Sequence, residues 1–127
     1  MRCSLSLEKR VIEKVYRYRN LQKYHAVFVG AEYQQYHAYS ANKSYLSKKD
    51  LIKLDSRLLH KLFQIGTPGT KENGNYLGNC AEVHAGDKVL GQCHSMTVDQ
   101  LCFSHAYRPR TLQIVPYCKN CILTFNL

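Results

Sequence analysis

Apolar positions in the first half of the chain follow helix spacing, then strand spacing, then helix spacing again. Residues 5–19 place an apolar residue at every third or fourth position, which is typical of one face of a helix. A β-branched run at 25–30 and a tyrosine-rich run at 33–40 predict a β-hairpin. The Ser-Lys-Lys-Asp sequence at 47–50 has the form of a capping box, and the leucines after it predict one amphipathic helix that continues to about residue 64.

The second half is predicted to begin with a long loop and to continue with two helices and two extended segments. Residues 66–78 contain four Gly, one Pro and two Asn, and a loop of this length in a compact domain is often functional. Helices are predicted over 80–90 and 118–125, and extended segments over 97–107 and 111–115. This order of elements predicts an α/β fold in which helices pack on a small sheet.

Length and composition place the chain among globular proteins. Its 127 residues are 45% hydrophobic, which is enough to fill the core of one domain spanning 1–127. No run approaches the roughly 18 apolar residues that a membrane helix needs, and the charged start at 1–10 predicts no signal peptide. Composition therefore argues against a disordered chain, a membrane-spanning chain and a membrane partner.

Positive charge is concentrated in the first half. The formal net charge is +9, of which residues 1–65 carry +8 and residues 66–127 carry +1. Tyrosines interleave with lysines and arginines in the same half, a mixture that single-stranded nucleic-acid binding uses. Because a lysine or arginine that meets a phosphate releases condensed counterions, the balance favours a nucleic-acid partner over a merely solvated basic face.

Six cysteines allow either a disulfide framework or a metal site. Cys118 and Cys121 are separated by two residues, the gap that suits one metal ion or a redox pair. A chain of this size does not need disulfides in order to fold, so metal ligation is favoured. Cys3, Cys93 and Cys102 are then expected to be thiols without a function.

Two short sequences carry the candidate chemistry. They are Asn79-Cys80-Ala81-Glu82 and Pro116-Tyr117-Cys118-Lys119-Asn120-Cys121. Each places a cysteine at a predicted helix start, where unpaired N–H groups and the helix dipole favour the thiolate that binds metal. Three thiols are also the number of protein ligands that leaves zinc one open position for water.

Together these sequences resemble the zinc-dependent cytidine deaminase superfamily, whose mark is His-or-Cys-Ala-Glu followed by Pro-Cys-x-x-Cys. Within it, the Gly-rich approach and the Asn-Cys-Ala-Glu helix are most similar to the bacterial polymorphic-toxin deaminases. The resemblance implies a cytidine deaminase-like α/β/α sandwich with a small mixed sheet of three to five strands and a zinc site at two helix N-termini. Cys80, Cys118 and Cys121 match the zinc ligands, and Glu82 matches the proton shuttle.

The activity that the resemblance implies is hydrolytic deamination of cytosine to uracil in nucleic acid, with DNA favoured over RNA. Zinc (Zn²⁺) supplies an activated water, and the target base must lie in a single strand or be flipped out of a duplex. Five residues are expected to bind the substrate: Ala81 through its N–H, Asn79, Asn42, Tyr39 and Tyr117. Tyr117 departs from the family pattern by standing between Pro and Cys, where its ring is expected to be available to a base.

The toxin resemblance also implies a setting for this activity. It implies a monomeric domain of a secreted bacterial toxin, delivered into the target-cell cytoplasm. Because free cytosine deamination inside a cell is mutagenic, it further implies an immunity protein that inhibits the domain.

Three alternatives stay open at this stage. One is a deaminase of free cytidine or a nucleotide. Another is a non-catalytic nucleic-acid-binding domain with a structural zinc, since Cys80 and His84 are four residues apart on one helix face and His84 would complete a closed Cys3His site. A second metal site at Cys93-His94 and Cys102-x-x-His105 is the third, although a buried thiol, a surface pair and a strand histidine are favoured there.

Overall fold

A computed structural model describes residues 3–43 and 45–127. Its helices are α1 (Leu5–Asn20), α2 (Lys48–Ile52), α3 (Ser56–Phe63), α4 (Ala81–Leu90) and α5 (Lys119–Phe125). Its strands are β1 (Phe28–Tyr33), β2 (Tyr36–Ala41), β3 (Lys71–Glu72), β4 (Asn75–Tyr76), β5 (Cys102–Phe103), β6 (Ala106–Arg108) and β7 (Gln113–Val115). The protein is therefore mixed α/β, as predicted. Among these helices none has the length and apolar character needed to cross a membrane.

Five of the strands form one small sheet. Its order is β2-β1-β6-β7, and β5 also pairs with β1, while β3 and β4 form a separate hairpin. Every strand pair in the described residues is antiparallel, so the expected number of strands is confirmed and the expected mixed sheet is wrong. The physical reason is the length of the connections: β1 to β2 and β6 to β7 are joined by short turns, which can only produce antiparallel neighbours.

Helix α1 packs on one face of this sheet. Leu7, Val11 and Val15 of its apolar stripe are buried, and the two valines form a small core with Phe28 and Tyr107. Gly30 of β1 lies directly beneath the helix, where an added Cβ would stand 2.6 Å from Cγ2 of Val11. Only glycine permits this approach of helix to sheet.

Helix α4 covers the opposite face, and its first six residues are all buried. Two side chains beyond that stretch also fasten the helix to the edge strand β2. The Lys88 ammonium donates to the carbonyl of Tyr39 at 3.0 Å, and the Gln92 amide donates to the carbonyl of His37 at 3.1 Å. These bonds satisfy outward-facing backbone groups that an edge strand would otherwise leave unpaired.

Two predicted elements are divided in the structure. The single helix expected over 47–64 is divided into α2 and α3, because the carboxylate of Asp55 accepts the N–H of Arg57 and caps a new helix. The strand expected over 97–107 is divided among a 3₁₀ turn at Val98–Gln100, β5 and β6. In both places a local cap or turn interrupts an apolar pattern that is otherwise continuous.

Cys3 and Cys102 form a disulfide across 99 residues of sequence, with their Cα atoms 5.5 Å apart. The expectation that both are thiols without a function is therefore wrong. The N-terminal end of α1 brings them together, because the N–H and hydroxyl of Ser4 donate to the carboxylate of Glu32 at 2.9 and 2.7 Å. Glu32 stands opposite Cys102 in the β1–β5 register.

Candidate metal centre

Two helix N-termini converge at one end of the fold, and each begins with a cysteine. Cys80 is the N-cap of α4 and Cys118 is the N-cap of α5, and neither side chain forms a capping hydrogen bond. The helix starts thus present sulfur atoms together with unpaired backbone N–H groups.

A glycine sets the direction in which the chain enters α4. Gly78 has φ +101°, a conformation that favours glycine. One residue later, the carbonyl of Asn79 accepts the N–H of Lys43 at 2.9 Å. This bond ties the approach to α4 to the segment that follows β2.

Three sulfur atoms form the centre of the site. The Sγ atoms of Cys80 and Cys118 are 3.0 Å apart, and those of Cys80, Cys118 and Cys121 all lie within 4.8 Å of one another. Zinc–thiolate bonds of about 2.3 Å in a tetrahedral site place the sulfurs about 3.8 Å apart, which lies between the shortest separation here and the 4.8 Å limit. The geometry is compatible with a zinc site in which these three cysteines are the protein ligands.

The electrostatics of the cluster also suit a cation. Hydrogen bonds from Cys121 and then Cys80 lower the pKa of Cys118 to about 3, and the N–H groups at the start of α5 add to the effect. Donation to Cys118 raises the pKa of Cys80 to about 12 and also raises that of Cys121. One thiolate is thus stabilised by two thiols, and all three can be anionic together only beside a positive ion.

Glu82 stands next to the cluster without belonging to it. Its side chain is 4% exposed, and its Oε2 accepts a hydrogen bond from the Cys121 thiol at 3.4 Å. Burial raises the pKa of this carboxyl group. A buried acid with a raised pKa, two residues after a candidate ligand, is a group that can hold and release a proton beside the cluster.

A cavity of about 360 Å³ opens beside the cysteines. Glu82 and Cys80 border it, as do three of the five predicted substrate-binding residues, namely Asn42, Asn79 and Ala81. Its other walls come from three places: the start of β1, the β3–β4 hairpin and the segment that leads into α5. The long loop expected to be functional therefore contributes Asn75 and Tyr76 to this cavity.

Tyr117 and Tyr39 lie elsewhere, although both were predicted to bind the substrate. The Tyr117 hydroxyl donates to the carbonyl of Ser104 at 2.7 Å, and its ring packs against the main core. It therefore anchors the segment before Cys118 to the sheet. Tyr39 borders two neighbouring cavities beside α1. A substrate contact from either ring stays a prediction.

Asn120 stabilises the site through hydrogen bonds that the sequence did not predict. It is 2% exposed, and its amide group donates to the carbonyls of Glu72 and Asn75 at 3.0 and 3.3 Å. Its Oδ1 accepts from the side chain of Asn73 at 2.9 Å. These bonds hold the β3–β4 hairpin against α5. The one available signal was a polar residue between two cysteines at a helix start.

His84 does not complete the sulfur cluster. In residues 3–43 and 45–127, the only group of three or more potential ligands that could jointly hold an ion is the three cysteines. His84 is buried, its Nε2 has no hydrogen-bond partner, and burial lowers its pKa to about 4. The closed Cys3His site therefore lacks its fourth ligand, and the second metal site lacks Cys102, which is in the disulfide.

Comparisons with known proteins were made at the level of family, sequence and fold. No protein-family model, no curated protein and no solved structure matches this chain. The functional interpretation consequently rests on the geometry of the site itself.

Proposed function

We propose that this protein is a zinc-dependent deaminase that converts cytosine to uracil in nucleic acid. The single observation that carries the proposal is the position of Glu82. It is a buried acid that touches the three-cysteine cluster, is not one of its ligands, and borders a cavity of about 360 Å³. A structural zinc site needs neither a proton-holding acid nor an adjacent cavity.

Zinc would be held by Cys80, Cys118 and Cys121, and when bound it would lower the pKa of a water molecule towards neutrality. The chain's own contribution is proton transfer by Glu82. Its carboxylate takes a proton from the attacking water and delivers it to N3 of the ring, and it carries the second proton to the departing amino group. The bond from water oxygen to C4 forms, the C4–N bond breaks, and ammonia leaves.

Groups on the cavity wall would orient the base. Ala81 is the first residue of α4, so its N–H has no partner within the helix and can donate to the carbonyl of a pyrimidine. Asn42 uses its Oδ1 to accept the N–H of Val27 at 3.1 Å, which leaves its NH₂ group to face a ligand. Asn79 contributes a further amide to the same wall.

The test is a uracil assay on zinc-loaded protein. The substrates are a cytosine-containing oligonucleotide, single-stranded and as a duplex, and free cytidine. We expect uracil from the single strand, because a paired base must first leave the stack. Uracil from cytidine alone would identify the protein as a nucleoside deaminase instead. The absence of uracil from every substrate would contradict the proposal.

Glu82→Gln is the matching variant, because it keeps the shape of the side chain and removes the proton carrier. We expect one zinc per chain, as in the parent, and a loss of deamination rate of about 10² to 10⁴-fold. Asp99→Asn is the control, since Asp99 is an exposed acid that pairs with Lys61 and does not border the cavity. Unchanged activity in the Glu82 variant would show that the proton carrier is misassigned.

A further inference from the structure

The cavity beside the cysteines is the first part of a longer depression. A second cavity of about 430 Å³ shares Asn42 and Lys43 with it, and a third of about 510 Å³ shares Lys14 and Tyr39 with the second. The three cavities therefore adjoin one another in a row on the surface. The row runs from Glu82 past the end of β2, along the edge of that strand and onto α1, and it is called here the β2-edge groove.

The lining of the β2-edge groove beyond the first cavity is strongly basic. Five cations border it, and Glu13 is the one acid among the lining residues of the second and third cavities. The cations are Arg10, Lys14, Arg17, Lys43 and Lys88. None of them takes part in the ion pairs of the described residues, whereas Arg57 and Lys61 elsewhere are paired with carboxylates. The groove thus presents positive charge that the fold leaves unneutralised.

Aromatic rings alternate with these cations. Tyr39 borders both outer cavities, and the Lys14 ammonium lies 4.7 Å from the centre of its ring. Tyr18 borders the second cavity and packs edge-on against His25, with ring centres 5.1 Å apart. Cations that track a backbone and rings on which bases can stack are the two features of single-stranded nucleic-acid grooves.

We propose that the β2-edge groove is the path of a single-stranded nucleic acid, with phosphates on the α1 cations and the target base in the cavity beside Glu82. The proposal rests on the proposed function, because the groove gains its direction from that cavity. A strand whose target base enters the cavity continues on both sides of that base, and the basic surface next to the cavity runs past Lys43 along β2. A duplex would have to unpair before it could enter.

The experiment uses two variants that lose the same charge from different places. The groove variant is Arg10→Gln, Lys14→Gln and Arg17→Gln on α1. The control variant is Lys48→Gln, Lys49→Gln and Lys53→Gln, which are exposed cations of the α2 region outside the groove. Binding of a labelled oligothymidine, which contains no cytosine, is measured by fluorescence anisotropy over a range of salt concentrations on the zinc-loaded full chain.

The groove variant is expected to bind oligothymidine at least about tenfold more weakly near 0.1 M salt, with a log–log salt slope reduced by about 2, because three phosphate contacts are lost. The control variant is expected to bind as the parent does. Equal weakening of both variants would overturn the groove, since the effect would then come from overall charge. If the triple variant does not fold, Lys14→Gln and Arg17→Gln are measured singly, each with an expected slope change of about 0.7.

The outcomes separate this inference from the proposed function. Because the probe cannot be deaminated, binding is scored independently of catalysis. Oligothymidine binding that depends on the α1 cations, in a protein that forms no uracil, would support the groove and contradict the deaminase. Uracil formation with binding insensitive to the α1 cations would support the deaminase and overturn the groove.

Discussion

The Cys3–Cys102 disulfide and the cluster of three free cysteines lie on opposite faces of the sheet, and different interactions hold each group together. Phe103 points towards α4 and α5, where its ring centre lies 4.7 Å from that of Phe125. Its neighbour Cys102 points the other way, because successive residues of a strand face opposite sides. The disulfide with Cys3 is therefore on the α1 side, and Cys80, Cys118 and Cys121 are on the α4–α5 side.

The comparison shows how a structural disulfide differs from a candidate metal site. The disulfide needs only two Cα atoms at a suitable distance, and it carries no charge once formed. The cluster has a third sulfur, two helix N-termini that favour thiolate and a buried acid beside a cavity. These features stabilise negative charge around one point, which a disulfide does not require and a metal ion does.

The largest effect is expected from removing one sulfur of the cluster. Cys118→Ser replaces the sulfur with the lowest pKa in the site, so zinc content should fall well below one per chain and deamination should be lost. Metal content is measured by atomic absorption on the purified protein. Cys93→Ser is the control, because Cys93 is an unpaired thiol outside both groups. Full zinc content in Cys118→Ser would mean that the cluster is not the metal site.

Breaking the disulfide should affect stability and leave the metal in place. Cys3→Ser opens a loop of about 100 residues, and the expected loss in free energy of unfolding is about 2–4 kcal/mol. Urea denaturation of the parent and the variant measures it, again with Cys93→Ser as the control. Loss of zinc on breaking the disulfide would contradict the separation of the two groups by the sheet.

His84 provides the smallest and most selective test, because it decides whether the cluster is open or closed. His84→Gln should retain one zinc per chain, since His84 is outside the cluster. Metal content measured as for Cys118→Ser checks this, and loss of zinc in the variant would restore the closed structural site.

The same variant should alter the pH dependence of stability. The pKa of His84 is lowered to about 4 by burial, whereas an unfolded chain has a histidine pKa near 6.5. Between these values the unfolded state binds a proton that the folded state does not, so stability falls as the pH is lowered, by about 1 kcal/mol for each pH unit. His84→Gln should lack this part of the acid sensitivity in urea denaturation. Identical pH profiles would show that His84 does not titrate in this way.

Local patterns were enough to predict the helices that build the site. The apolar periodicity of α1 and the helices after Cys80 and Cys118 are present as expected, because spacing and capping act within a few residues. The helix expected over 47–64 was wrong because Asp55, a residue inside an apolar pattern, also caps a helix. Pattern alone does not decide between these two roles of an aspartate.

The residues of the candidate site also divide into those that local patterns predict and those that they do not. Cys80, Glu82, Cys118 and Cys121 were recognisable because each lies at or near a helix start with a short characteristic spacing. The hydrogen bonds of Asn120 and Tyr117 could not be predicted in this way. The partners of Asn120 lie 45 to 48 residues away in sequence and that of Tyr117 lies 13 residues away. Only the packing of α5 on the hairpin and the sheet brings them near.

The sequence by itself determined the helices after Cys80 and Cys118, the basic character of the first half and the identity of the cysteines that can share one ion. These follow from short-range spacing and from charge, which do not depend on how the elements pack. Only the tertiary structure decided that Cys3 pairs with Cys102, that the sheet is antiparallel and that three cavities lie side by side along β2. Each of these depends on which distant segments meet, and that is set by the burial of α1 and α4 on the two faces of the sheet.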